Sequence, residues 1–178
     1  MIVVAGPSCS GKSTFGRIAR ESEFEVLETT TVVKEQFRAL SRHGEDIIGF
    51  CVRLFHSAGE DVFARQNCAR IIDHGGDTRR LVCIGPRAAG EIRCFRETFE
   101  QVKVIGVFAD ASLRYQRGIL RDRDDCARTL EAFIDRDMRE YSMGLAALFS
   151  SSLDLLLLNN GSIKDFELAV RKELKQDV

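Results

Sequence analysis

Gly6-Pro7-Ser8-Cys9-Ser10-Gly11-Lys12-Ser13 follows directly on the apolar run Ile2-Val3-Val4-Ala5. The eight residues match a phosphate-binding loop (Gly, any four residues, Gly-Lys-Ser) at every fixed position. Few folds accept such a loop, because it needs a buried strand ending beneath it and a helix starting from it. The flanks supply both: the apolar run before, and an amphipathic segment with Phe15, Ile18 and Ala19 after. The residue types follow from the ligand. A triphosphate is a dense anion, and backbone N–H groups wrap it best where side chains leave room, hence Gly6 and Gly11. A helix starting near Gly11 aims its positive dipole end and unpaired N–H groups at the same phosphates. Lys12 reaches the β and γ oxygens, and the Ser13 hydroxyl suits Mg²⁺. Ser8, Cys9, Ser10 and Thr14 complete the expected contacts, so ATP and Mg²⁺ are the expected cofactors.

Composition narrows the partners. With 26 Lys and Arg against 27 Asp and Glu, the net charge is -1. Nothing global attracts nucleic acid or an anionic membrane, and any anion site is local. Six cysteines (Cys9, Cys51, Cys68, Cys83, Cys94, Cys126) show no C-x-x-C pair and several lie in apolar surroundings, which predicts reduced thiols. The histidines His43, His56 and His74 lack metal spacing. A strand from residue 2 leaves no room for a signal peptide, and no apolar run approaches the roughly 18 residues of a membrane span. The expectation is one cytoplasmic domain.

Periodicity orders the remaining elements. Phe24 to Leu27 reads as a second strand, and Thr29 to Thr31 offer an N-cap for a helix from Val32 to Leu40. Ile47, Ile48, Cys51, Leu54 and Phe55 share a helical face. Glu60 to Asp73 predicts a helix with Val62, Cys68, Ala69 and Ile72 inward. Leu81 to Ile84 is a third strand, Ile92, Phe95 and Phe99 mark a helix, and Val102 to Ala109 is a fourth strand. Ser112 caps a helix ending near Arg121, and Thr129 caps one running to about Met143. Leu153 to Leu158 and the helix of Ile163, Phe166, Val170 and Leu174 close the chain. Alternating strands and helices predict a five-stranded parallel sheet covered on both faces. The helices of residues 29–76 form an excursion expected to bind an acceptor.

The order of loop, Thr-initiated helix, helical excursion and arginine-bearing third strand resembles the nucleoside-monophosphate kinase superfamily, adenylate kinases included. Val82-Cys83-Ile84-Gly85-Pro86-Arg87, Arg117 to Asp125 and Leu158-Asn159-Asn160-Gly161-Ser162 most resemble the archaeal proteins called dephospho-CoA-kinase-related. The resemblance implies roles for particular residues. Thr29 and Lys34 stand where adenylate kinases grip the acceptor phosphate, although a solvated helix lysine would look the same. Arg87 matches an acceptor-phosphate clamp, and a charge at the carboxyl end of a central strand lies where such sheets bind ligands. Arg53 lies on the excursion, either facing the acceptor or not. Asn160 stands beside the adenine in the family's pattern, or else in an ordinary turn. Ile84 replaces the acidic residue that holds Mg²⁺ through water.

Arg114, Arg117, Arg121, Arg123, Arg128, Arg136 and Arg139 fall within 26 residues that contain no lysine. Exclusive arginine points to planar phosphate recognition, and the interleaved aspartates to a salt-bridged face. By resemblance, residues 117–136 form a lid whose Arg117, Arg121 and Arg136 cover the transferring phosphoryl group. The implied activity is transfer from ATP·Mg²⁺ to a nucleoside monophosphate-like small molecule. Transfer to a ribose hydroxyl ranks second, because threonines stand where its carboxylate base belongs and only Glu28 is near. A regulatory nucleotide-binding protein is the alternative outside enzymes.

Overall fold

In the computed structural model, which describes residues 1–75, 77–121 and 129–176, short apolar runs make one parallel sheet. Strands β1 (Ile2–Ala5), β2 (Glu25–Glu28), β3 (Leu81–Ile84), β4 (Lys103–Phe108) and β5 (Leu155–Leu158) lie in the order β2-β3-β1-β4-β5. β1 is central: Val3 pairs with Cys83 on one side and with Val104 on the other. Successive side chains of a strand point to opposite faces, so one strand feeds two cores. Ile2 and Val4 pack with Phe15 and Ile18 of helix α1 (Lys12–Glu21) and with Phe166 and Val170 of the C-terminal helix (Ile163–Gln176). Val3 and Ala5 pack on the other face with Cys68, Ile92 and Phe95.

The excursion is three helices: α2 (Thr29–Leu40), α3 (Ile47–Ala58) and α4 (Val62–Asp73). They have a core of their own, with Val32, Phe50, Leu54 and Phe63 packed on Ala88 and Met143. Two local readings change here. Thr29 does not cap α2, since β2 runs into the helix without a connecting residue. It is buried in the first turn instead, and its Oγ1 accepts from Asn67 Nδ2 at 3.1 Å. Helix α4 is rotated by about one residue from expectation: Phe63, Ala64, Asn67, Cys68 and Ile71 face inward, while Ala69 and Ile72 are exposed.

Helices α5 (Ala89–Thr98), α6 (Ala111–Arg121) and α7 (Leu130–Glu140) complete the site-bearing elements. The Thr129 cap holds, with Oγ1 accepting from Ala132 N at 3.2 Å. The helix it starts runs to about Met143, as expected, and breaks at Gly144. The chain passes through a π-helical turn (Tyr141–Leu145) into helix α8 (Ala146–Ser151), ahead of the last helix, α9 (Ile163–Gln176). Gly144 makes the bend at φ 141°, where a Cβ would meet the Ala88 Cβ at 3.0 Å. Of the expected lid, residues 122–128 lie outside the described residues. Among the described residues, no helix is long and apolar enough to cross a membrane.

Leu148, on the unforeseen α8, is fully buried in the second core. Leu148→Ala is expected to cost about 2–5 kcal/mol, read as a lower denaturation midpoint at unchanged slope. A loss below about 1 kcal/mol would show that α8 is not part of that core.

Candidate functional site

The loop after β1 sits at the carboxyl end of the central strand, where open α/β sheets bind ligands. Its glycines are there because neighbours leave no room. A Cβ on Gly6 would lie 2.2 Å from the Val107 carbonyl oxygen. At Gly11, with φ 121°, it would lie 2.4 Å from Asn159 Nδ2. Asn159 braces the loop from outside by donating to Ser10 O at 2.8 Å. Lys12, on the first turn of α1, donates to Gly6 O at 2.6 Å and Pro7 O at 2.7 Å. Burial, then the charge of Arg87, pushes the Lys12 ammonium down to about 7, against the opposing pull of Glu140. Ser13 is exposed beside it.

A cavity of about 220 Å³ runs from Ser8, Lys12 and Ser13 to the excursion. Thr29, Thr30 and Lys34 of α2 line it, and Cys51, Phe55 and Phe63 give it an apolar wall. Arg87, after β3, and Arg136, on α7, line it as well. The structure therefore brings Thr29, Lys34, Arg87 and Arg136 together with the loop. Arg53 is not among the lining residues. It donates from Nε to Glu45 Oε1 at 2.8 Å and lies over the Phe50 ring, fixing the α2–α3 connection. Ile84 is buried in the first core, its Cδ1 filling the space at Gly16.

The arginine-rich stretch divides by partner. Arg114 is buried and paired with Asp137 through its two terminal nitrogens, at 2.6 and 2.7 Å. Arg139 pairs in the same way with Asp46, the N-cap of α3. Arg117 donates to the Asn159 carbonyl at 2.8 Å and lies outside the cavity lining. The side chain of Arg121 lies outside the described residues. Asn160 accepts from Asp110 N at 2.9 Å, so its neighbour Asn159 is the one against the loop.

Two site carboxylates escaped the sequence reading. Glu140 is fully buried, accepting from Ser8 N at 3.0 Å, Ser8 Oγ at 2.6 Å and Arg87 Nη1 at 2.9 Å. Burial alone would raise its pKa, but Arg87, Ser8 and Lys12 overcome that and hold it down at about 2. Glu91 is buried at the start of α5 and accepts from Arg87 N at 2.6 Å and Ala88 N at 3.1 Å. Burial outweighs those bonds and lifts its pKa to about 7. An acidic residue in the third position of a helix is a capping signal, and it could have located Glu91. Nothing local marks Glu140. Glu28, the expected alternative base, pairs with Arg20 at 3.1 Å and does not line the cavity.

The chain is 30% identical to a UPF0200 protein of Thermoplasma acidophilum over 178 residues, covering 99% of this chain and 96% of that one. It is 30% identical to a UPF0200 protein of Methanothermobacter thermautotrophicus, covering 99% and 87%. No family model matches. Among solved structures, shikimate kinase of Acinetobacter baumannii in complex with shikimate superposes with a TM-score of 0.60 at 15% identity, covering 99% of this chain and 93% of that one. Shikimate kinase of Bacteroides thetaiotaomicron gives 0.61 at 15% identity, covering 98% and 96%. The fold is that of shikimate-kinase-like phosphate-loop kinases.

Glu91 generates a pH prediction. Its folded-state pKa stands above its unfolded value, so its stabilising contribution is complete below about 4.5 and lost as pH rises through about 7. Glu91→Gln keeps the acceptor oxygen and stays neutral. Its stability relative to wild type should therefore rise by on the order of 3 kcal/mol between about pH 5 and 8. Parallel stability curves for the two proteins across that range would contradict the shift.

Proposed function

The chain belongs to the UPF0200 family, and from that footing we propose that it moves the γ-phosphoryl group of ATP·Mg²⁺ to a small phosphorylated acceptor, a nucleoside or deoxynucleoside monophosphate. One observation carries the reading. A single cavity joins the phosphate loop to a second set of cations, Lys34 and Arg87, beside an apolar wall of Cys51, Phe55 and Phe63.

The residues present fit ATP·Mg²⁺. Gly6 and Gly11 leave the loop backbone bare, Lys12 stands over it, and the exposed Ser13 hydroxyl suits a cation that keeps most of its waters. When bound, ATP·Mg²⁺ supplies an activated phosphoryl group. Lys12 then neutralises the β and γ oxygens, and Arg136 follows the charge that spreads over the transferring group. Arg121 has the same assignment by resemblance. Arg87 and Lys34 hold the acceptor phosphate, with Thr29 shaping the floor. Such an acceptor arrives ionised and needs no general base.

Of two other readings, the second has an observation in its favour. A hydroxyl acceptor of the dephospho-CoA kind needs a base, and Glu28 is already engaged outside the cavity with Arg20. Of the three carboxylates lining the cavity, Asp137 is engaged by Arg114 and Glu140 by Ser8 and Arg87, while Glu91 accepts from Arg87 N and Ala88 N through Oε2 and its Oε1 has no hydrogen-bond partner. A regulatory nucleotide-binding role is favoured by Ile84, which is buried in the core where the resemblance implies an acid.

The deciding experiment follows ADP release from ATP and Mg²⁺ with each common ribo- and deoxyribonucleoside monophosphate. Turnover with one of them is expected, and none with any would overturn the proposal. Lys12→Ala should retain less than about a tenth of that turnover, because a lost phosphate clamp costs several kcal/mol in the transition state. Arg87→Gln, which leaves Glu140 a hydrogen-bond donor, should raise the acceptor KM roughly ten- to a hundredfold with nucleotide affinity nearly unchanged.

A further inference from the structure

We propose that Glu140 is the positioning residue of the transfer site, holding the acceptor clamp Arg87 and the Ser8 shoulder of the phosphate loop in one fixed relation. The inference rests on the phosphotransferase reading of the same cavity. A carboxylate without solvent contact is tolerated only where donors take up its lone pairs. Glu140 has four: Ser8 N on Oε2, and Ser8 Oγ, Arg87 Nη1 and Arg136 Nε (3.4 Å) on Oε1. These donors come from three separate segments: the loop after β1, the turn after β3, and α7 itself.

Ser8 is also held at its carbonyl. Arg114 Nη1 donates to Ser8 O at 3.3 Å, and Arg114 is clamped by Asp137, one turn before Glu140 on α7. The amide, hydroxyl and carbonyl of Ser8 thus all answer to α7, directly or through Arg114. The other side is fixed by packing, since the bend at Gly144 seats the chain against Ala88 and the Arg87 carbonyl, 3.2 Å from where a Gly144 Cβ would stand. One nitrogen of Arg87 is tied to Glu140, and a guanidinium carries five N–H groups in all. The clamp is oriented without being used up. Phosphoryl transfer depends on sub-ångström placement of donor and acceptor, so the link between their two holders sets the geometry of reaction.

The test uses the full chain with Glu140→Gln, Arg87→Gln and both together, each checked for cooperative melting. Amide hydrogen exchange is followed over residues 6–10 and 85–89. Acceptor kinetics use the monophosphate that supports wild-type turnover, and nucleotide affinity uses ADP with Mg²⁺. In Glu140→Gln, exchange should speed up about tenfold or more in both segments. Acceptor kcat/KM should fall roughly ten- to a hundredfold while the ADP Kd stays within about threefold, a split that simple loss of stability would not produce. In the Arg87→Gln background the same change should cost less than about threefold, because the two residues act as one unit.

Unchanged exchange in either segment would overturn the proposal. So would an equally large loss in the Arg87→Gln background, which would mark Glu140 as acting by itself, for instance as a base. Should Glu140→Gln fail to melt cooperatively, Glu140→Asp takes its place, because it keeps the charge and withdraws it by one methylene. The same loosening of both segments is expected of it. Absence of wild-type turnover with every monophosphate would count against the phosphotransferase reading, and the exchange arm would still decide the role of Glu140.

Discussion

Everything around the site hangs on a guanidinium with almost no solvent contact. Arg114 is only 1% exposed, and all three of its nitrogens find partners: Ala109 O, Ser8 O and both oxygens of Asp137. Phe133 lies against its face at 5.3 Å. Burying such a pair is expensive, and breaking it by removing one partner typically costs about 3–5 kcal/mol. Four segments, the phosphate loop, the end of β4, α6 and α7, meet at one side chain and can satisfy it in one way.

That arrangement sets the charge balance of the cavity. Burial pushes buried acids and bases alike toward their neutral forms, and Lys12 and Glu91 both move to about 7. Glu140 moves the other way because cations surround it. Lys12, Lys34, Arg87 and Arg136 line the space with Glu91, Asp137 and Glu140, and Asp137 is spoken for by Arg114. Four basic groups face three acidic ones, of which Glu91 is drawn toward its neutral form and Asp137 is paired with Arg114 from outside the lining, so the balance of the cavity leans toward an anion. Its apolar wall then favours an anion that carries a flat or hydrophobic body.

The phosphate loop and the sheet were legible because their signals are local: eight residues of fixed chemistry, and strands of four to six residues in apolar runs. Arg87 was legible for a similar reason, being three residues beyond a buried strand. Helix α4 was misread in phase because its apolar residues come in adjacent pairs, Val62-Phe63, Cys68-Ala69 and Ile71-Ile72. Two faces one residue apart both fit such a pattern, and contact with α5 and the sheet decides between them. Glu140 was invisible for a different reason. Its partner Ser8 is 132 residues away, and it stands in a helix of alternating charge where one more acid looks solvated. The arginine-only stretch held both answers at once, with Arg136 at the cavity and Arg114 and Arg139 as struts.

The two ends of the cavity rest on differently packed parts of the fold. β1 and helix α1, which flank the loop, are locked into the sheet's cores, where a change of volume is felt by the neighbours. The excursion adds a third core around Val32, Phe50, Leu54 and Phe63, while Ala64, Cys68 and Ile71 of α4 pack into the sheet's second core and the Arg139–Asp46 pair ties α3 to α7. Substitution at Phe55 or Phe63 reshapes the cavity wall without touching the strands. A likeness of 15% identity to shikimate kinases over nearly the whole chain therefore bears on the fold alone and is silent on what the excursion end of the cavity holds.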